Sequence, residues 1–257
     1  MDRRFLTHDL PVLVPSSLER AGFLVAFTER NGGASAGRFR SLNLGRRTGD
    51  RISLIVENRR RVAEAMGVPP FTFVEQVHGA GVAEITDDLG GRGFDPADDA
   101  IPGADALWSR SRGTALAVMA ADCLPIAVAS PVEGILMLVH AGWRGLAAGL
   151  LQAAMARFAD PGVAKAAIGP AIGSCHYRVG AEVIAAVDRG SGGAAVWVSR
   201  DGHPYLDLAA TAAGALRATG VTEVEAAGEC TACHPERFFS HRRDGPTGRQ
   251  AAVAMKL

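Results

Sequence analysis

Short apolar runs alternate with polar, glycine-rich breaks along most of this chain. Residues 23–28 (FLVAFT) predict a strand that runs into the loop ERNGGASAGRF. From about residue 50 to 66, Ile52, Ile55, Val62 and Met66 recur at helical spacing, and Gly67 with the Pro69-Pro70 pair stops the helix. Residues 71–77 predict a strand leading to His78. Three further runs, 114–120, 125–129 and 134–139, are short, apolar and turn-bounded, as buried strands are. Residues 145–158 predict a helix with Leu146, Leu150, Ala153 and Ala154 on one face. A strand over 164–168, helices near 181–188 and 206–219, and a last strand near 251–255 complete the pattern. Strands clustered between helices predict α/β layering with a mixed sheet. The stretch 87–103, DDLGGRGFDPADDAIPG, is a long loop, and a loop of about 15 residues inside a domain is usually functional or disordered. Its flanks share the same short-strand character, so one domain over 1–257 is expected rather than two joined by a linker.

The bulk composition narrows the function classes. Of 257 residues 48% are hydrophobic, enough for a substantial core, and 27 Lys plus Arg balance 27 Asp plus Glu. A neutral chain has no overall field to draw in nucleic acid or an anionic membrane, so any anion must be held by a local cluster. No apolar run approaches the ~18 residues of a membrane span. The N-terminal residues carry two arginines but no sustained apolar stretch before Asp9, Pro11 and Pro15, so no signal peptide is expected and the cytoplasm is the expected compartment. There the four cysteines are expected to be reduced thiols or metal ligands rather than disulfides.

Three residues carry the strongest chemistry. His78, Cys123 and His140 are distant in sequence, yet each closes or follows an apolar run, and strand ends are where a fold gathers distant side chains. Two imidazoles and a thiolate suit zinc, and three protein ligands leave a fourth tetrahedral position open, the pattern of a catalytic site. Taken alone, Cys123 also fits a small buried hydrophobe. Pro125 lacks an N–H, which places the thiol at a bend rather than inside a ladder. His140 precedes Gly-Trp-Arg-Gly, where Gly142 and Gly145 allow a tight turn and Arg144 with the next helix's N–H groups could bind an anion. An ordinary strand-turn-helix corner fits as well. Arg59 falls in the apolar stripe of its helix, so it either snorkels outward or points at an anion in the site. Arg242, Arg243 and Arg249 form either a substrate-anion clamp or a solvated charged loop. Cys230-Thr-Ala-Cys233-His234 has the spacing of c-type haem attachment, which does not suit a chain without an export signal. A chance Cys-x-x-Cys is the favoured reading, a structural zinc with Cys175 and His176 a second, and a redox role stays open.

Taken together, these motifs resemble the bacterial laccase-domain family, whose members have been called polyphenol oxidases, purine nucleoside phosphorylases and peptidoglycan editing factors. The resemblance runs from about Phe27 to Arg249. It is carried by Ser41-Leu-Asn43-Leu-Gly45, Glu57-Asn-Arg59-Arg60, Gln76-Val-His78, Ala104-Asp105-Ala106, Ala121-Asp122-Cys123-Leu-Pro125, His140-Ala-Gly-Trp-Arg-Gly145, Ile168-Gly-Pro-Ala-Ile-Gly173, Cys230-Thr231 and Phe239-Ser240 through Arg242-Arg243-Asp244. His241 departs from it, standing where a tyrosine is expected, as does the added Cys233-His234. The resemblance implies a single α/β domain with sheet layers flanked by helices, the laccase-domain or cysteine-hydrolase-like fold. It implies zinc on His78, Cys123 and His140, with copper as an in vitro substitute. The implied activity is phosphorolysis of adenosine, inosine or methylthioadenosine, with deamination of adenosine beside it. Purine nucleosides and inorganic phosphate are the expected partners, with no nucleic acid and no membrane, acting on a monomer or weak homo-oligomer.

Asp122 and Glu75 are the candidate proton carriers. Arg59, Arg144, Arg242, Arg243, Gln76 and Asn43 are the candidate substrate or phosphate contacts, with Ser41 as an alternative to Asn43. A Cys-His hydrolase acting on peptidoglycan precursors, with Cys123 as nucleophile and His140 as base, is a second reading. A copper-dependent phenol oxidase is disfavoured, because seven histidines include no His-x-His pair. A zinc-stabilised interaction module is the non-enzymatic reading.

Overall fold

A strand that is apolar on both faces must be covered on both sides. The computed structural model, which describes residues 1–257, meets that requirement with four layers in one α/β domain. Two six-stranded mixed sheets lie face to face, with helices outside each. The first sheet runs in the spatial order β1 (Asp2–Thr7), β2 (Leu10–Val14), β3 (Phe23–Thr28), β14 (Gln250–Lys256), β7 (Ala115–Ala120), β4 (Thr72–Phe73). The second runs β13 (Glu223–Ala226), β10 (Lys165–Ile168), β8 (Leu124–Ser130), β9 (Ile135–Ala141), β6 (Ala106–Ser109), β5 (Val82–Glu84). A hairpin of β11 (Val196–Arg200) and β12 (His203–Asp207) stands apart.

The period-2 alternation of each strand divides its side chains between layers. Along β9, Ile135, Met137 and Val139 face the outer helices while Leu136 and Leu138 face the other sheet; His140 has the parity of Leu138. Along β7, Leu116 and Val118 fill the space between the sheets. Ala115 and Ala117 face α2 (Ile52–Met66), which packs Val62, Ala63 and Met66 against Phe71 and Phe73. The helices α3 (Trp143–Ala147), α4 (Leu150–Met155), α5 (Ala181–Gly190) and α6 (Leu208–Ala218) cover the second sheet. Single turns, α1 (Ser16–Glu19) and α7 (His241–Asp244), complete the set. No helix is long and apolar enough to cross a membrane.

The chain passes from the first sheet to the second twice, both times at the same end of the sandwich. It leaves β4 in the first sheet for β5 in the second, and leaves β7 in the first for β8 in the second. Residues 74–81 and 121–123 are those crossings, and they carry His78 and Cys123. The expected strand over 71–77 therefore shrinks to Thr72–Phe73, because the rest must bridge the sheets. The expected helix over 145–158 is two short helices, broken at Gly149 (φ +78°), a left-handed conformation that suits glycine. The helix over 50–66 begins at Ile52 and ends at Gly67 (φ +65°).

Candidate metal centre and active-site pocket

The side chains of His78, Cys123 and His140 converge, with one ligand atom from each lying within 4.8 Å of the others. Each arrives by a different device. His140 is the next-to-last residue of β9, directly opposite Pro125 at the start of β8. Cys123 sits one residue before that strand, at the bend the proline implied. His78 occupies the β4-to-β5 crossing in a left-handed conformation (φ +61°), unusual for a residue with a side chain.

Asp105 holds this arrangement together and is fully buried (0% exposed). Its carboxylate accepts the backbone N–H groups of Val77 (3.2 Å), His78 (2.9 Å) and Gly79 (2.6 Å), which fixes the strained turn around His78. It also lies 2.9 Å from His140 Nδ1. A carboxylate on Nδ1 keeps the proton there and leaves Nε2 as the ligand lone pair, the usual orientation of a metal-binding histidine. Burial would push the Asp105 carboxyl up, but His140 and the amide donors hold it below the ordinary aspartate value. Within the family motif this residue was visible, but nothing in its neighbours announced its role.

Electrostatically the centre favours a thiolate. Burial alone would push the Cys123 thiol up; His140 and His78 more than offset that and bring it down to about 6. Burial opposes the His140 imidazolium, while the Cys123 and Asp105 charges raise it to about 9. Gly142 closes the floor. A Cβ there would lie 2.9 Å from Cys123 Sγ and 3.3 Å from the His78 ring, so only a glycine lets the backbone pass under the cluster.

The centre opens into a cavity of 920 Å³ between the ends of the two sheets, within the usual range for small-molecule sites. Trp143 and Tyr177 provide aromatic walls. Seven arginines line it against the three carboxylates Glu75, Asp99 and Asp122. The neutral chain thus carries the local cationic cluster that an anion would require. The loop 87–103 supplies Arg92, Gly93, Asp99, Ala100 and Pro102 to the rim.

Residues 24–256 match the family described as multi-copper polyphenol oxidoreductase laccase. The chain belongs to this family. A relative named purine nucleoside phosphorylase YlmD, from Geobacillus stearothermophilus, is 38% identical over 245 residues, covering 90% of this chain and 89% of its own. The protein named purine nucleoside phosphorylase YfiH from Escherichia coli K12 is 36% identical, covering 94% of this chain and 97% of its own. The crystal structure of the Geobacillus YlmD superposes with a TM-score of 0.85 at 36% identity over 92% of each chain. That of Bacillus licheniformis YfiH gives 0.90 at 28% identity over 99% of each.

In this laccase-family chain several expected substrate contacts have other work. Arg59 reaches the cavity wall but is buried (1% exposed), with most of its donors already engaged. Its guanidinium donates to the carbonyls of Leu44, Gly93 and Phe94 and to Met119 Sδ, and stacks 4.1 Å from the Phe73 ring centroid. Asn43 is likewise internal: its amide donates to Thr48 and Asp50 and accepts from the N–H groups of Gly45 and Arg249. Ser41 hydrogen-bonds Gly33 and Arg30. Arg243 lies outside the pocket, donating to Thr231, Ala232 and Phe238 carbonyls and pairing with Asp244. All four side chains are committed to partners within the chain, which the sequence does not disclose because polar residues in a motif do not reveal which backbone groups they satisfy.

Gln76 lines the cavity but bridges Met119 through both ends of its amide, at 2.7 and 2.9 Å. Asp122 is also at the wall (φ +94°), its two oxygens accepting from the Thr231 hydroxyl (2.7 Å) and the Arg242 backbone N–H (2.6 Å). Arg242 and Arg144 do face the cavity. Arg144 stacks on Trp143, its guanidinium without a hydrogen-bond partner, and Arg242 stacks on Tyr177 while one Nη donates to the Arg178 carbonyl (2.9 Å). The helix after His140 is only five residues long. His241 lines the cavity too, with Nδ1 2.8 Å from the Gly245 carbonyl. Tyr177, Trp143 and the rim residues Arg46, Arg47 and Arg92 were not foreseen. Trp143 lies within the His140–Gly145 motif without being singled out there, and the others come from three further segments.

Cys230 and Cys233 are not an isolated spacing. With Cys175 and His176 they form a second cluster whose ligand atoms also lie within 4.8 Å of one another.

Proposed function

We propose that this pocket is the active site of a zinc-dependent purine nucleoside phosphorylase that also deaminates adenosine. One observation carries the reading: an open three-ligand centre stands at the wall of a cavity with a large arginine excess. The names of the relatives agree with it. Adenosine, inosine or methylthioadenosine and inorganic phosphate would enter; free base and ribose 1-phosphate, or its methylthio analogue, would leave.

The residues present fit a zinc ion. Two imidazoles and a depressed thiol supply the donor set, Asp105 orients His140, and the missing Gly142 side chain leaves room. Bound there, zinc would supply Lewis-acid polarisation of a substrate atom. Arg144 and Arg242, whose free N–H groups face the cavity, would hold the phosphate, with Arg249 behind them. Trp143 and Tyr177 would stack on the purine. In phosphorolysis a phosphate oxygen bonds to the anomeric carbon as the glycosidic C–N bond breaks, and the purine leaves with that electron pair and takes up a proton. Glu75, half-buried at the wall and paired only with the exposed Arg47, is the better-placed proton carrier. Asp122, with both oxygens committed, instead holds the turn that presents Cys123 and the backbone of Arg242.

The Cys123–His140 pair also favours a second reading. A thiolate beside an imidazolium is the resting state of a Cys-His hydrolase, and a peptidoglycan-precursor amidase would use it. A multicopper oxidase needs many imidazoles for its several coppers, and the seven histidines of this chain include no His-x-His pair. Copper would nonetheless compete for these ligands in vitro.

The test is to purify wild type and Cys123→Ala without added metal, quantify zinc and copper, and incubate each with adenosine, with and without phosphate. Phosphate-dependent adenine release, lost in the variant together with about one zinc per chain, is the expected result. Phosphate-independent inosine formation would report the deaminase activity. Absence of nucleoside turnover in the zinc-loaded wild type would overturn the reading, and a covalent adduct on Cys123 in metal-free protein would put the hydrolase in its place.

A further inference from the structure

The second cluster has the geometry of a metal site that nothing in the pocket's chemistry requires. Cys175 Sγ lies 3.5 Å from Cys233 Sγ. His176 Nδ1 lies 3.3 Å from Cys175 Sγ, 3.5 Å from Cys233 Sγ and 3.9 Å from Cys230 Sγ. Around a tetrahedral zinc, bond lengths near 2.3 Å to sulfur and 2.0–2.1 Å to nitrogen give edges of about 3.8 Å between sulfurs and about 3.6 Å between sulfur and nitrogen. The observed separations scatter around those edges. They are too long for a disulfide, whose sulfurs lie about 2.05 Å apart.

The surroundings suit metal thiolates. The Gly173 N–H donates to Cys230 Sγ at 3.2 Å. A Cβ on Gly173 would sit 3.3 Å from Cys175 Sγ and 3.4 Å from Cys230 Cβ, crowding the cluster, so the glycine keeps the approach open. Three thiolates and a dication leave one net negative charge. Arg200 and Arg242 are the adjacent cations, with guanidinium groups 3.4 Å from the Cys175 and His176 carbonyls respectively.

We propose that Cys175, His176, Cys230 and Cys233 form a second, closed zinc site of the Cys3His type, structural rather than catalytic. Four protein ligands leave no open position, unlike the centre at His78, Cys123 and His140. The site ties together two loops otherwise joined through the short bridge between Ala171 and Cys230. Both loops serve the pocket. The first carries Tyr177 to its wall, and the second carries Thr231, whose hydroxyl holds Asp122 beside Cys123. The metal therefore acts as a clamp behind the active-site wall.

Cys123→Ala, which removes a ligand of the first centre, isolates the second. The protein is reduced and stripped of metal under argon, then titrated with zinc and, separately, with cobalt(II). The expected result is uptake of about one ion per chain and protection of all three remaining thiols from a thiol reagent. The cobalt form should show intense tetrahedral ligand-field bands with thiolate charge transfer. In the wild type, total zinc should be about two per chain, falling by one in Cys175→Ser/Cys233→Ser while Cys123 remains metal-protected. If either variant fails to fold, the wild-type stoichiometry and the number of zinc-protected thiols decide alone. A wild type that holds one zinc and leaves Cys175, Cys230 and Cys233 freely reactive overturns the proposal. So does an octahedral, weakly absorbing cobalt form of Cys123→Ala.

Discussion

Asp105→Asn is the sharpest perturbation of the metal centre, because it changes one atom and leaves the shape intact. Every partner of the Asp105 carboxylate is a donor when His140 binds metal through Nε2. One oxygen faces His78 N–H and His140 Nδ1, each at 2.9 Å; the other faces Gly79 N–H at 2.6 Å and Val77 N–H at 3.2 Å. An amide replaces one oxygen with an NH2 group, so two of these four contacts become donor against donor. Hydrogen bonds to a charged acceptor contribute about 1.5–3 kcal/mol each, so the metal-free variant should lose about 3 kcal/mol or more of stability. If the NH2 turns toward His140, Nδ1 must become the acceptor, the proton moves to Nε2, and the ligand lone pair is lost. If it turns toward Gly79, the left-handed His78 turn loses its anchor. Either way a ligand is displaced, and loss of such a partner typically costs 10–100-fold in metal affinity, about 1.4–2.7 kcal/mol. The assay is the protection of Cys123 from alkylation against buffered free zinc, read at that cysteine by peptide mass mapping. Urea unfolding of the metal-free protein gives the stability part separately. A variant that protects Cys123 at the same free zinc as the wild type would refute the argument that Asp105 sets the His140 tautomer.

Two further predictions probe the pocket. Arg59→Met keeps much of the side-chain volume but leaves the Leu44, Gly93 and Phe94 carbonyls without their donor. At about 1–3 kcal/mol for each unsatisfied buried group, urea unfolding should show a loss of about 3 kcal/mol or more, with the phosphate KM unchanged; a raised KM at unchanged stability would return Arg59 to the phosphate site. In metal-free protein, Cys123 alkylation should titrate with a midpoint near 6 rather than at an ordinary thiol value. The depressed thiol contributes its stabilisation fully above its ordinary value and loses it as pH falls through about 6. The raised His140 contributes below its ordinary value and loses it as pH rises through about 9. Zinc binding at this centre should accordingly weaken as pH falls through about 9, where a proton competes for His140, and more steeply below about 6, where a second competes for the thiolate; an alkylation midpoint above 8 would contradict the ion pair.

Periodicity located most of the longer strands that are buried on both faces. Residues 23–28, 115–120, 124–130 and 135–141 are strands because continuous apolar runs between turns have no other stable place in a layered fold. The same logic missed β1, β5, β11, β12 and β13, edge or half-exposed strands whose polar residues hide the alternation, and also β2 and β6, which are buried but only five and four residues long. It also merged α3 and α4, since Gly149 breaks a helix through its own backbone without altering the apolar stripe around it.

The residue types of the metal centre and their places at strand ends are properties of the sequence, because a histidine or thiolate is a ligand wherever it lies. Which polar residues face the cavity is not. Arg59 and Arg144 have the same chemistry in the sequence; one is consumed by three backbone carbonyls and the other is free over Trp143. Only the two crossings from the first sheet to the second bring residues 78, 123 and 140 together, and only they decide that Asp105 serves both histidine segments. The same holds for Cys175 and Cys230, which are 55 positions apart and meet because β10 and β13 run side by side. Local chemistry is written residue by residue, whereas satisfaction of donors and acceptors is a property of the packed chain, settled when every buried polar group has found its partner.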